Sequence, residues 1–215
     1  MRGNVGLRIA YACYRNRGSL PLSASQSMDI IAHALWTTAA AKLARDHTRQ
    51  PLRLGWATFW GVFPDLFSFA IPAVVRVWWY VTGTTHSLLP DAHSAPHFQW
   101  VWPLYHCSHS LLVFAAAFGM VWAIFRRPVL EMLGWALHNL IDILTHMGIF
   151  AVHFLWPLSN YGFNGIRWEN RWFLALNYAA LLAVLASLWV QTRKAHARTS
   201  QTGEYAEDSR ARPSK

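Results

Sequence analysis

Apolar residues in this chain gather into long runs separated by short polar or basic stretches. Trp172 to Val190 carries no charge and is followed by the basic segment QTRKAHAR. A run of about 20 apolar residues is what a helix needs to cross the hydrocarbon layer of a bilayer. Leu104 to Phe125 is a second uncharged run, ended by Arg126-Arg127-Pro128. Leu54 to Val81 is a third, interrupted by Asp65 and Arg76, with Pro64 and Pro72 expected to bend it. Val129 to Trp156 is a fourth, carrying Glu131, Asp142 and the histidines 138, 146 and 153. Met28 to Ala44 is shorter and either crosses at a tilt or enters only part of the way. The pattern predicts an all-α fold, a polytopic membrane helical bundle with about four to five transmembrane helices.

Loop charges test that arrangement. With five crossings and the basic C-terminal flank on the cytoplasmic side, Arg126-Arg127 and the loop holding Lys42, Arg45, Arg49 and Arg53 also fall inside. The segment 82–103 has no Lys or Arg and falls outside. The N-terminus is the exception: it would lie outside, yet it carries Arg2, Arg8, Arg15 and Arg17. Either the first segment does not cross, or residues 1–27 form an extension outside the working protein, which then starts at Met28. Three regions follow: the polar extension 1–27, a membrane-embedded helical domain 28–190, and a polar, basic tail 191–215 expected to be disordered and cytoplasmic.

Composition agrees. Of 215 residues, 54% are hydrophobic and only 13% charged, against about 25% charged in ordinary soluble domains. The net charge of +9 sits in blocks rather than interleaved with aromatics, which excludes a basic nucleic-acid groove. Cys13 and Cys107 form no spacing motif. Thirteen tryptophans are many for this length, and Trp56, Trp60, Trp100, Trp102, Trp168 and Trp172 sit near segment ends, as in an interfacial aromatic belt.

Against this background the ionisable residues inside the apolar runs stand out. A charge at mid-membrane costs at least ~2.5–3.5 kcal/mol, so such residues face a bundle interior or a cavity. In GWALHNLIDILTHMG, His138 and Asp142 are four residues apart and share a helix face that His146 continues. An imidazole and a carboxylate one turn apart can bind one metal ion; a buried His–Asp hydrogen bond explains the pair equally well. Three other runs add candidates: Asp65 in GVFPDLF, His106 and His109 in YHCSHSLL, and His33 in IIAHALW. Four apolar segments each contributing a His or an Asp point to one shared site. His86, His93 and His97 in the 82–103 loop read as a solvated loop, and His153 as interfacial.

At these residues the chain resembles the membrane-bound metal-dependent hydrolases, a family of bacterial inner-membrane proteins. The likeness runs in order over roughly 28–158: His33, Pro64-Asp65, Ser108-His109-Ser110-Leu111-Leu112, His138 with Asp142, and Leu155-Trp156-Pro157. The chain departs from the family at Phe67, where a second acidic residue is usual, and at Leu104-Tyr105, where His-Arg is usual; His106 is a candidate replacement. The helical His/Asp pattern is also loosely similar to zinc-dependent phospholipase C.

The resemblance implies a multi-pass protein of the inner (plasma) membrane that hydrolyses an ester or phosphoester. His33, Asp65, His109, His138 and Asp142 would be ligands for one or two divalent ions, zinc first by its mixed nitrogen and oxygen donors, with manganese or iron as alternatives. Such an ion lowers the pKa of a bound water to ~7. Asp65 is the candidate general base, and His106 and Ser110 are placed on the substrate side, Ser110 as a hydrogen-bond partner of a ligand carboxylate. The partners expected are the lipid bilayer and an amphipathic or lipid substrate. The alternative is a non-enzymatic membrane protein, a transporter or scaffold, whose His/Asp cluster is structural or degenerate.

Overall fold

A computed structural model describes residues 29–48, 50–86, 99–168 and 170–211. Among these residues the chain forms helices α1 (Asp29–Thr48), α2 (Leu54–Val81), α3 (Val101–Ser108), α4 (Leu111–Phe125), α5 (Leu133–Thr145) and α6 (Arg171–Ala211). Single turns of 3-10 helix lie at Leu130–Met132 and Gly148–Phe150. The β pairing among the described residues is one isolated antiparallel bridge, Val152 with Phe163. The all-α expectation holds. The extension 1–27 lies outside the described residues, as do His93 and His97.

The number of crossings is lower than the apolar runs suggested. Among the described residues, two helices are long and apolar enough to span a membrane, Leu54–Val81 and Arg171–Lys194. A third is available if α3 and α4, which meet at a bend of 64°, together form one broken span. The chain is therefore a membrane protein of two or three candidate spans, and the four-to-five count is not supported. Outward side chains of the two long helices agree with this: Ile71, Val74 and Trp78 of α2 and Leu176, Leu182 and Trp189 of α6 are exposed, an apolar surface that suits lipid and not water.

Two expected spans account for the difference. Val129–Trp156 contains only 13 residues of α-helix, about 20 Å at 1.5 Å per residue, short of the ~30 Å hydrocarbon layer. The helix stops because His146 turns to extended backbone (φ −112°, ψ 150°). A returning segment then takes up the last carbonyls: Ile166 N–H donates to Leu144 O (2.8 Å), Trp168 N–H to Thr145 O (3.1 Å) and Gly165 N–H to His146 O (2.9 Å). Gly165 is required there, since a Cβ would run into the Leu144 carbonyl. The first segment extends to a 20-residue helix, but its last two turns hold Lys42, Arg45 and Asp46, with Lys42 Nζ donating to Asp46 Oδ2 at 2.8 Å. That charge keeps α1 from being apolar enough to count as a span.

What brings the elements together is a seam of small residues. A side chain at Gly61 of α2 would overlap Thr37 of α1, and one at Gly134 of α5 would overlap the Ala57 carbonyl and Thr37. Three helices thus meet where glycine lets the backbones approach. One turn from this contact on each helix, the chain places His33 (before Thr37), Asp65 (after Gly61) and His138 (after Gly134). Since side chains four apart share a helix face, the seam delivers these three ionisable groups to one point. Around it, Trp60 stacks on Trp135 with centroids 6.0 Å apart and planes within 2°, and Tyr105, Met132 and Trp135 are buried.

Candidate metal centre

The fourth helix face comes from the α3–α4 bend. Ser110 leaves the helix (φ −89°, ψ 126°) and caps α4 by accepting from Val113 N–H. The next two amides, Leu111 N–H and Leu112 N–H, donate to Phe154 O. The break frees the Ser108 carbonyl, which accepts from Trp135 Nε1 (2.5 Å) and Asn139 Nδ2 (3.4 Å) of α5. These bonds pin the bend against α5 and hold His109 in the interior.

Asp65, His109, His138 and Asp142 each offer one ligand atom, and these atoms lie within 4.8 Å of one another. His138 Nε2 is 3.1 Å from Asp142 Oδ2 and 3.8 Å from Asp65 Oδ1. His109 Nε2 is 3.3 Å from Asp142 Oδ2 and 3.5 Å from Asp65 Oδ1. The two Nε2 atoms are 3.2 Å apart. His33 joins from the other side: its Nε2 lies 3.0 Å from Asp142 Oδ1, and its ring lies over that of His138, centroids 3.9 Å apart. His146 Nδ1 approaches the same oxygen at 3.4 Å. Asp142 is the hub, one oxygen facing His109 and His138 and the other facing His33 and His146.

The outer ring nitrogens decide what the inner ones can do. His138 Nδ1 lies 2.8 Å from Gly61 O, a pure acceptor, so Nδ1 carries a proton and donates. His109 Nδ1 likewise donates to Tyr105 O at 3.0 Å, with Ser108 Oγ at 2.9 Å. In a neutral imidazole the remaining nitrogen, Nε2, then presents a lone pair. Two such lone pairs and two carboxylates converge on one buried point, an arrangement that a cation placed among them relieves. Backbone carbonyls that fix the tautomer and the ring direction are also what ligating histidines normally have behind them. The residues present therefore fit a metal ion: this His/Asp group can hold one. Two carboxylates also carry a formal −2, which a divalent ion balances without net charge in the apolar interior.

His33, His109, His138 and Asp142 are fully buried, whereas the Asp65 side chain is 13% exposed. Asp65 is thus the member of the four-residue group that opens outward. His106 lies apart from the group, its ring stacked on His153 at 4.2 Å and 5°. Ser110 donates to Trp156 O (2.6 Å) and Phe154 O (3.3 Å), holding the loop beyond α5. The hydroxyl that meets a cluster histidine is that of Ser108, whose Oγ sits beside His109 Nδ1, Ser68 Oγ (2.9 Å) and Pro64 O (3.1 Å). Ser108 stands next to the motif histidine, so its position was the available signal. The supporting carbonyls of Gly61 and Tyr105 have no side-chain signature. No family model, curated protein or solved structure matches this chain.

Proposed function

We propose that this protein is a metal-dependent hydrolase of the inner membrane, acting on an amphipathic ester or phosphoester at the His/Asp cluster. The observation that carries the reading is the convergence of Asp65, His109, His138 and Asp142 within 4.8 Å, with both histidines oriented by backbone carbonyls. Zinc suits the mixed nitrogen and oxygen donors best, and manganese or iron suit them next. A divalent ion there would supply Lewis acidity and bring the pKa of a water to ~7.

The side chains divide the remaining work. His109 and His138 present Nε2 inward because their Nδ1–H groups are held. Asp142 binds with one oxygen and keeps His33 and His146 in place with the other. Asp65, the partly open carboxylate, is placed to accept the proton of an attacking water. Burial of the rest excludes bulk water, which strengthens each electrostatic contact.

Elemental mass spectrometry of the detergent-purified protein, beside His138→Ala and Asp142→Ala variants, tests this directly. Near-stoichiometric metal that the variants lose, together with metal-dependent turnover in an ester and phosphoester screen, is the expected outcome. A folded wild type that takes up no metal on reconstitution rules the reading out. The same burial favours a second reading, in which two imidazolium protons balance the two carboxylates and the cluster locks the helices together or passes protons. Metal-free protein that loses stability on His138→Ala would select it.

A further inference from the structure

Near the cluster lies an open groove of about 750 Å³, within the range of small-molecule sites. Its walls come from α1, α5, α6 and the segment 163–166 that returns along the end of α5. Leu137, Ile141, Leu144, Phe163, Ile166 and Phe173 make it apolar. Three of the polar atoms on its wall are engaged within the protein. Asn177 Oδ1 accepts from Trp36 Nε1 at 2.8 Å, Asn164 Oδ1 accepts from Gly148 N–H at 3.1 Å, and Thr145 Oγ1 donates to Ile141 O at 2.9 Å. A polar ligand would find few partners, and a hydrocarbon needs none.

The groove is built into the fold. The returning segment is fixed to α5 by the Gly165, Ile166 and Trp168 hydrogen bonds, and the Trp36–Asn177 bond ties α1 to the membrane helix α6. It also lies near the cluster. Leu137 and Ile141 are the neighbours of His138 and Asp142, and Trp36 lies one turn from His33. Thr145 Oγ1 is 3.2 Å from His146 Nδ1, which is itself 3.4 Å from Asp142 Oδ1. The groove thus reaches Thr145, and His146 lies between that wall and the buried Asp142.

The geometry points to this groove as the acyl-chain site of a single-chain amphiphile drawn from the bilayer. The assignment rests on the hydrolase reading for the fate of the head group, and on the groove alone for the chain. A methylene occupies roughly the ~30 Å³ of a water molecule, so 750 Å³ holds on the order of 25 such groups. That is enough for one long chain. Helix α6 supplies Phe173 and Asn177 within a candidate span, which places the site where a lipid chain already resides.

The test is photolabelling of the purified, metal-loaded full chain with an alkyl phosphate bearing a diazirine at its chain end, mapped by peptide mass spectrometry. Saturable labelling of Leu137, Ile141, Leu144 or Phe173, competed by unlabelled alkyl phosphate, is the expected result. Ala40→Trp and Leu144→Trp place bulk at two different walls, and each should cut the saturable fraction at least tenfold while metal content is unchanged. Non-saturable labelling of outward residues such as Leu182 and Trp189, unmoved by either variant, would overturn the assignment; if neither variant folds, the wild-type map alone decides. Saturable groove labelling in a protein that takes up no metal would leave the chain site standing and remove the hydrolase reading.

Discussion

Replacing Gly134 by alanine adds one methyl group where α5 crosses α2, and the consequences can be worked out from what that methyl meets. Its nearest neighbours are the Ala57 carbonyl, Thr37 Cγ2 and the Gly61 amide nitrogen. Two of the three are backbone, so no rotamer change relieves the overlap and α5 itself must move. Overpacking of a tight contact costs about 1–3 kcal/mol, occasionally more. Because two of the contacts are backbone the upper end applies, and alanine returns about 1 kcal/mol through helix propensity, leaving a net loss of about 2 kcal/mol. Gly61→Ala differs in kind, because its methyl meets only the Thr37 side chain. Thr37→Ala removes two of the three overlaps there and leaves the Thr37 Cβ, so it should restore part of the stability lost in Gly61→Ala and less of that lost in Gly134→Ala. The assay is a double-mutant cycle on reversible denaturation in mixed micelles, read beside metal content. Because His138 lies one turn above Gly134, and Asp65 one turn above Gly61, metal affinity should fall with stability. A Gly134→Ala variant within about 0.5 kcal/mol of wild type, retaining its metal, would refute the claim that the glycine seam positions the cluster.

Further outcomes follow from the contacts around the site. Ser110→Ala removes the α4 cap and the bonds to Phe154 and Trp156, so it should lower stability by about 1 kcal/mol and leave metal content unchanged on elemental analysis. Ser108→Ala, by contrast, should weaken metal retention in a chelator titration, since Ser108 Oγ sits beside the nitrogen that orients His109; losses of about tenfold are typical for such supporting groups. Asp65→Asn should reduce turnover much more than it reduces metal content if Asp65 takes the proton from water, and equal losses in both would make it a ligand only. Trp36→Phe deletes the bond to Asn177 and should cost about 0.5–1.5 kcal/mol without displacing the metal.

Helical class, the membrane character and the members of the cluster were legible in the sequence for one physical reason. Charge in an apolar run is costly, so His33, Asp65, His109, His138 and Asp142 identify themselves by standing where they do. The number of spans was not legible, because hydropathy counts apolar residues and does not register where a helix stops. Val129–Trp156 reads as one run, yet its carbonyls at Leu144, Thr145 and His146 are taken by amides from residues 165–168. Likewise Leu104–Phe125 is uninterrupted by charge but breaks at Ser108–Ser110, where the loop beyond α5 satisfies the freed amides. Both breaks are tertiary hydrogen bonds between segments far apart in the chain, which no local pattern encodes.

The two serines flanking His109 show the same limit at finer scale. Sequence places Ser108 and Ser110 one residue to either side of His109, and the expectation there falls on Ser110. The bend between α3 and α4 separates their roles. Ser108 is the last helical residue, so its hydroxyl stays on the inner face beside His109 Nδ1 and Pro64 O. Ser110 has already left the helix, and its hydroxyl turns to the Phe154 and Trp156 carbonyls. The bend that keeps this run from being a simple span is therefore also what sets His109 among the other residues of the cluster. A straight helix through 101–125 would keep Ser110 N–H bonded within the helix and leave the Ser108 carbonyl unavailable to Trp135 and Asn139. The irregular backbone at this point belongs to the site, as non-helical segments inside membrane proteins generally do where they line a buried polar centre.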